Sequence, residues 1–177
     1  SATSCPSDAL APGHLGELTH TVPPEMVDAA LAATGRTEQR LRRLPSRVVV
    51  YLLLASTFFT DQGWTGVFNR LTSGLATTLR PAKSALAQAM RRVGAAPVKE
   101  LFTLLCAHST NRTPPAVMFA GRLVVAIDGT QMAVADTEAN LAVYPKPSGG
   151  PNGPPGYPMI RLLALVATGT RQVIDAV

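Results

Sequence analysis

Cysteine is nearly missing from this chain: Cys5 and Cys106 are the only two, one in a loose-looking N-terminus and one in an expected helix. That argues against the disulfide framework of a small secreted domain. Histidine is as sparse, and His14, His20 and His108 show none of the short spacings of zinc ligands. No apolar run reaches the roughly 20 residues that cross a bilayer; the longest, from Val48 through Ala55 to Phe59, is broken by Ser56 and Thr57. It reads as a buried helix. No basic patch precedes an apolar core at the N-terminus, so no secretory signal is visible. The expectation is a cytoplasmic protein with no membrane partner.

Charged residues are also few, at 15% against 46% hydrophobic, which is globular composition and excludes disorder of the whole chain. A length of 177 residues allows one ordinary domain or two small ones. The net charge of +5 is unevenly placed. Beyond residue 115, Arg122, Lys146, Arg161 and Arg171 balance Asp128, Asp136, Glu138 and Asp175, so the whole excess lies in the first part. It clusters there twice. Arg36, Arg40, Arg42, Arg43 and Arg47 stand against Glu38 alone, and Arg80, Lys83, Arg91, Arg92 and Lys99 share a stretch with no acid. Such clusters suit a phosphate backbone. A solvated helix face has the same composition.

Residues 1–21 mix Ser, Thr, Pro and Gly without apolar period and read as a flexible arm. From Pro23 the spacing of Met26, Val27, Ala30 and Leu31, with Pro24 at the start and Gly35 as terminator, predicts a short helix. A further helical piece is expected from Thr37 to Leu44, with Pro45 opening the buried helix Val48–Phe59. Trp64, Val67, Phe68 and Leu71 make one apolar stripe of the next helix. On a helical wheel of Lys83–Val93, Leu86, Ala89, Met90 and Val93 share one arc, while Ser84, Gln88, Arg91 and Arg92 share the opposite one. Amide and guanidinium groups are the usual readers of base edges in the major groove. Lys83 lies near the helix start, where phosphate contact is expected. Together with Trp64–Leu71 and the Thr72–Arg80 connection, this is similar to a helix-turn-helix with a long turn. Pro97 starts another helix, through Val98, Leu101, Phe102 and Leu105, with Cys106 at its edge. Asn111-Arg-Thr-Pro-Pro115 ends the helical half.

The pattern then changes to strands: Leu123–Asp128 with an extension near Met132–Ala135, then Ile160–Ala167, then Arg171–Val177, with a proline- and glycine-dense segment at Pro145–Pro158. Thr168-Gly-Thr170 is a connection of the kind that joins antiparallel neighbours. The four apolar residues Val124–Ile127 predict a strand buried on both faces that delivers Asp128 onto a glycine turn. A carboxylate there is costly unless paired, hydrogen-bonded or bound to a cation. An Asp-Gly pair after a strand is also a plain turn signal.

The ordered set of features resembles the bacterial DDE transposases of insertion-element-four type. The resemblance rests on Leu31-Ala-Ala-Thr-Gly-Arg36, Arg42-Arg-Leu-Pro45, the Val48–Phe59 and Trp64–Leu71 segments, Lys83 to Arg92 and Pro97 to Phe102. In the strand part it rests on Val125-Ala-Ile-Asp-Gly-Thr130, Asn140, Tyr157-Pro158, Arg161 to Leu165 and Gly169-Thr170. It implies an α+β chain: a helical DNA-binding domain over 22–115, and an incomplete ribonuclease-H-like β-meander over 116–177. The implied partner is double-stranded DNA at the terminal inverted repeats of a mobile element, with a homodimer as a further partner and a nucleoid-associated location. DNA contacts are expected from Lys83, Ser84, Gln88, Arg91 and Arg92 and from Arg42 and Arg43.

In such enzymes an Asp, Asp, Glu trio holds two Mg²⁺ (or Mn²⁺) ions that activate the nucleophile and stabilise the leaving oxygen. Asp128 matches the first, as catalytic residue and metal ligand. The other two are unmatched. Asp136 and Glu138 fall in the first hairpin, and Asp175 lies two strand spacings away, on the order of 10 Å. A chain ending inside a strand is expected to be a truncated, inactive transposase product. Two other expectations stand beside it: a regulator that binds element ends without cutting, and a helical interaction protein that pairs with a second copy.

Overall fold

The computed structural model describes residues 15–40, 42–73, 80–111, 118–147, 149 and 156–177. Cys5, His14, most of the turn between Thr72 and Arg80, the prolines at 114–115 and most of the proline-rich segment lie outside the described residues. The chain is α+β, and it divides into two compact units between Leu105 and Cys106.

The first unit is built around a helix with little polar surface. This helix, α3 (Ser46–Ser56), buries Val49, Val50, Tyr51, Leu52 and Ala55. Its neighbours are α1 (Leu15–Thr21), α2 (Pro24–Ala33), α4 (Trp64–Leu71) and α5 (Lys83–Val93). Each neighbour gives α3 one apolar stripe: Val27, Ala30 and Leu31 from α2, Val67, Phe68 and Leu71 from α4, Leu86, Ala89 and Val93 from α5. Fully burying one such side chain contributes about 1.5–3 kcal/mol, so the shared core offsets the poor intrinsic stability of helices this short. The last helix of the unit's sequence, α6 (Ala96–Asn111), adds Leu101 to the same core.

Three expectations about this unit need correction. Residues 15–21 are not part of a loose arm; they form α1, because Leu18 and Val22 enter the core and the Tyr51 hydroxyl donates to the Val22 carbonyl at 2.6 Å. Three apolar residues, Leu15, Leu18 and Val22, in an otherwise polar stretch make too short a period to announce a helix. No helix forms from Thr37 to Leu44 among the described residues. Its polar residues offer no apolar stripe, and Pro45 disfavours helical backbone at Leu44. Finally, Trp64 is 40% exposed, so the α4 stripe consists of Val67, Phe68 and Leu71 without it.

The second unit is mainly antiparallel sheet. Strands β1 (Met118–Phe119) and β2 (Arg122–Leu123) form a tight hairpin whose central residues, Ala120 and Gly121, both have positive φ, as a two-residue hairpin turn requires. A separate sheet has the order β3 (Val125–Ala133), β4 (Met159–Ala167), β5 (Gln172–Ala176), all antiparallel. A short helix, α7 (Glu138–Leu141), sits between β3 and β4 in sequence and is capped by the Thr137 hydroxyl, which accepts from the Asn140 amide. Two expectations fail at β3. It is exposed along its whole length, with Ile127 74% exposed, not buried on both faces. It is an edge strand paired only with β4. Asp128-Gly129 is also not a turn: Asp128 pairs with Ala164 and Gly129 with Leu163 in mid-strand. Among the described residues no helix is long and apolar enough to cross a membrane.

Tyr51, 2% exposed, makes a direct test of the core. Tyr51→Phe removes the hydrogen bond to Val22 and should cost about 1 kcal/mol in urea unfolding at neutral pH. Burial pushes the Tyr51 hydroxyl above its ordinary pKa. The folded chain therefore keeps a proton that the unfolded chain loses, so this contribution is present below about pH 10 and declines as pH rises beyond it. The Phe variant should show less loss of stability between about pH 9 and 11 than the native chain.

Candidate nucleic-acid interface and the Asp128 carboxylate

The two basic clusters converge at the C-terminal end of α5. The last turn of α2 is closed by a left-handed Gly35 (φ 65), with the Gly35 amide donating to the Ala32 carbonyl at 3.1 Å and the Arg36 amide to the Leu31 carbonyl at 2.8 Å. This paired closure is the Schellman pattern. It fixes where Arg36 begins the segment 36–45, which returns to α3 at Pro45. Arg92 ties that segment to α5: its Nη2 donates to the Leu44 carbonyl at 2.7 Å and stands 3.1 Å from Glu38 Oε1. In return, Arg36 Nη1 donates to the Arg92 carbonyl at 3.2 Å.

The residues expected to touch DNA thus separate into two groups. Lys83, Ser84, Gln88 and Arg91 lie on the exposed side of α5, and Arg43 is exposed in the segment before α3. Arg92, expected on the open face of α5, is half-buried and engaged with Leu44 and Glu38. Its place at the edge of the polar arc, beside buried Ala89, brings it against the 36–45 segment. Arg42 is half-buried as well, its Nε 3.6 Å from Glu38 Oε1. Arg47, in the same sequence cluster, is committed elsewhere: its Nε and Nη2 both donate to the Asp28 carboxylate, a pairing that raises the Arg47 pKa further.

Arg36, Glu38 and Arg40 belong to the first basic cluster of the sequence but were not among the expected DNA contacts. They line a cleft of about 560 Å³ together with Arg42, Ser46 and Arg92. The charge count had pointed to the cluster. Expecting a helix there spread its arginines around an axis, whereas an irregular segment gathers them on one concavity.

In the second unit Asp128 is exposed on β3. Register decides which carboxylates can join it. Asp128 lies opposite Ala164, which lies opposite Ala176; Asp175 lies opposite Leu165, which lies opposite Ile127. Paired residues share a face and neighbours along a strand alternate, so Asp128 and Asp175 are on opposite faces of the sheet. Asp136 is paired with Lys146. Among the described residues no group of three or more His, Cys, Asp or Glu is placed to hold a metal ion. Cys106 is buried and donates to the Val173 carbonyl at 3.6 Å; burial, with Asp175 nearby, raises its pKa, as for an inert core thiol.

Comparison with known proteins adds an independent observation. A family model described as "Insertion element 4 transposase N-terminal" matches residues 12–103. The chain is 31% identical over 142 residues to the transposase InsG for insertion sequence element IS4 of Escherichia coli K12, covering 79% of this chain and 31% of that protein. It is 30% identical over 159 residues to the putative transposase InsZ of the same organism, covering 88% of this chain and 52% of that protein. The chain therefore spans about a third to about half of these relatives. No solved structure matches it significantly.

The geometry makes adjacent arginines unequal. Arg92→Ala should lower stability by about 1 kcal/mol, through loss of the donor to Leu44, while Arg91→Ala should stay within about 0.5 kcal/mol of the native chain. Denaturant midpoints of the two variants check this; equal losses would show that Arg92 does not anchor the 36–45 segment.

Proposed function

We propose, starting from the fact that the chain belongs to the insertion element 4 transposase family, that its helical unit engages double-stranded DNA at the terminal inverted repeats of a mobile element. The observation that carries this reading is the two-sided character of α5. Leu86, Ala89 and Val93 commit one side to the core, while Ser84, Gln88 and Arg91 on the opposite side, and Lys83 at the helix start, are exposed. No side-chain hydrogen bond or ion pair to these four is present among the described residues. Guanidinium and amide groups on an exposed helix face suit base edges, and the ammonium at the helix start suits a phosphate. No acid lies between Arg80 and Lys99 to oppose an approaching duplex.

For the second unit, the antiparallel β3-β4-β5 sheet is compatible with the opening strands of a ribonuclease-H-like domain, with Asp128 as first carboxylate of its catalytic trio. A divalent cation such as Mg²⁺ or Mn²⁺ acts there through several carboxylates at once. The described residues do not fit such a site by themselves: Asp175 is on the other face and Asp136 is held by Lys146. Cleavage and strand transfer are thus proposed as the activity to which this chain contributes DNA engagement and one carboxylate. The same register favours a second reading, in which the chain occupies element ends and regulates transposition without cutting.

Fluorescence anisotropy with a terminal-repeat duplex and a shuffled duplex, over a series of salt concentrations, tests DNA engagement. The logarithm of the association constant should fall linearly with the logarithm of salt, by about 0.9 for each phosphate contacted. Lys83→Ala should weaken binding to both duplexes and reduce that slope by about 1, and Arg91→Ala should weaken the terminal repeat more than the shuffled duplex. A flat salt response, or affinities unchanged in both variants, would remove α5 from any DNA interface.

A further inference from the structure

The cleft formed by residues 35–42, the start of α3 and the end of α5 contains four guanidinium groups, those of Arg36, Arg40, Arg42 and Arg92, and one carboxylate, Glu38. We propose that it is a phosphodiester-binding site in which Glu38 is an internal counter-ion that a DNA backbone phosphate displaces. The proposal rests on the DNA-binding reading above and adds a second contact surface, with its own control, to the α5 face.

Arg47 and Arg92 show what a filled and a half-filled guanidinium edge look like in the same molecule. On Arg47 the Nε and Nη2 edge is satisfied by both oxygens of Asp28. On Arg92 the Nη2 donates to the Leu44 carbonyl and faces Glu38 Oε1, while the buried Nε has no hydrogen-bond partner among the described residues. The Glu38 side chain is only 15% exposed, and its Oε1 is also without a hydrogen bond there, although it lies 3.1 Å from Arg92 and 3.6 Å from Arg42. A buried donor and a buried acceptor are therefore both left unsatisfied beside each other. Charge attraction holds them together without the hydrogen bonds that would make the pair strong.

A phosphate suits this place better than Glu38 does. Its oxygens can take two donors from one guanidinium edge, and that edge is presented by a side chain already fixed by Leu44. Glu38 is carried on an irregular segment, so it can swing out without breaking a helix. The exposed Arg40 adds a further positive group to the same lining. Until a phosphate arrives, Glu38 keeps the cleft from attracting unrelated anions; when it leaves, three or more positive groups face the backbone.

The test compares Glu38→Gln with Glu100→Gln, which removes the same charge from α6, and with Arg40→Ala, using the full chain and a duplex of about 20 base pairs. Glu38→Gln should tighten duplex binding about fivefold more than Glu100→Gln and steepen the salt slope by about 1, since one more phosphate is held; Arg40→Ala should weaken binding. Thermal melts confirm that the variants fold. Independently of any variant, the Arg92 Nε–H resonance of the native chain should shift when the duplex is added. If the native chain binds the duplex but Glu38→Gln behaves as Glu100→Gln and the Arg92 resonance stays still, the cleft is not a phosphodiester site, and the α5 reading stands. A resonance that moves with inorganic phosphate and not with duplex assigns the cleft to a free anion and overturns the proposal. No duplex binding by the native chain overturns both.

Discussion

The burial of α3 on several sides is the constraint from which the helical unit follows. A helix carrying Val49, Val50, Tyr51, Leu52 and Ala55 in its interior-facing turns cannot remain at a surface, and α1, α2, α4 and α5 supply the apolar stripes that cover it. Each covering helix is short, so each must spend its apolar residues on α3 and turn the remainder outward. That division is what leaves Lys83, Ser84, Gln88 and Arg91 exposed as a set.

The same constraint brings the two basic clusters together. The segment 36–45 leaves α2 at Gly35 and must reach the first turn of α3 at Pro45, which carries it past the end of α5. Two hydrogen bonds tie this meeting point together, Arg92 donating to the Leu44 carbonyl and Arg36 donating to the Arg92 carbonyl. Anchoring and charge thus coincide in one residue. The arginine that holds the fold is fixed in place by Leu44, whereas Arg43 and Arg91 are exposed. Glu38 lines the same cleft as Arg36, Arg40, Arg42 and Arg92 and is the single acid of the cluster.

Much of this was legible in the residues. Helices α4 and α5 begin and end where Gly63, Trp64, Val93 and Gly94 place them, because strong apolar spacing and glycine punctuation agree. The buried arc of α5 was readable for the same reason. The coil at 36–45 was not, since arginine and glutamine are good helix formers and only the missing apolar stripe argues otherwise. Helix α1 escaped notice because Leu15, Leu18 and Val22 make only two turns of the pattern beside a segment rich in Ser, Thr, Pro and Gly. At Asp128 the apolar run Val124–Ile127 announced a strand, which begins at Val125, but a run of that kind does not tell a central strand from an edge. The family resemblance is what singled out Asp128 as a candidate catalytic residue; pairing register puts Asp175 on the other face, which no spacing along the sequence could show.

The helical unit presents an exposed basic surface and a cleft of about 560 Å³ lined by arginines, whereas the sheet contributes one candidate ligand without companions among the described residues. The central claim is therefore that DNA is met by the helical unit. Photocrosslinking of the full chain to a terminal-repeat duplex carrying 5-bromodeoxyuridine, followed by mass spectrometric mapping, tests it most directly. Crosslinks within residues 36–43 and 83–92 are the predicted result; crosslinks confined to the sheet of β3, β4 and β5 would contradict it.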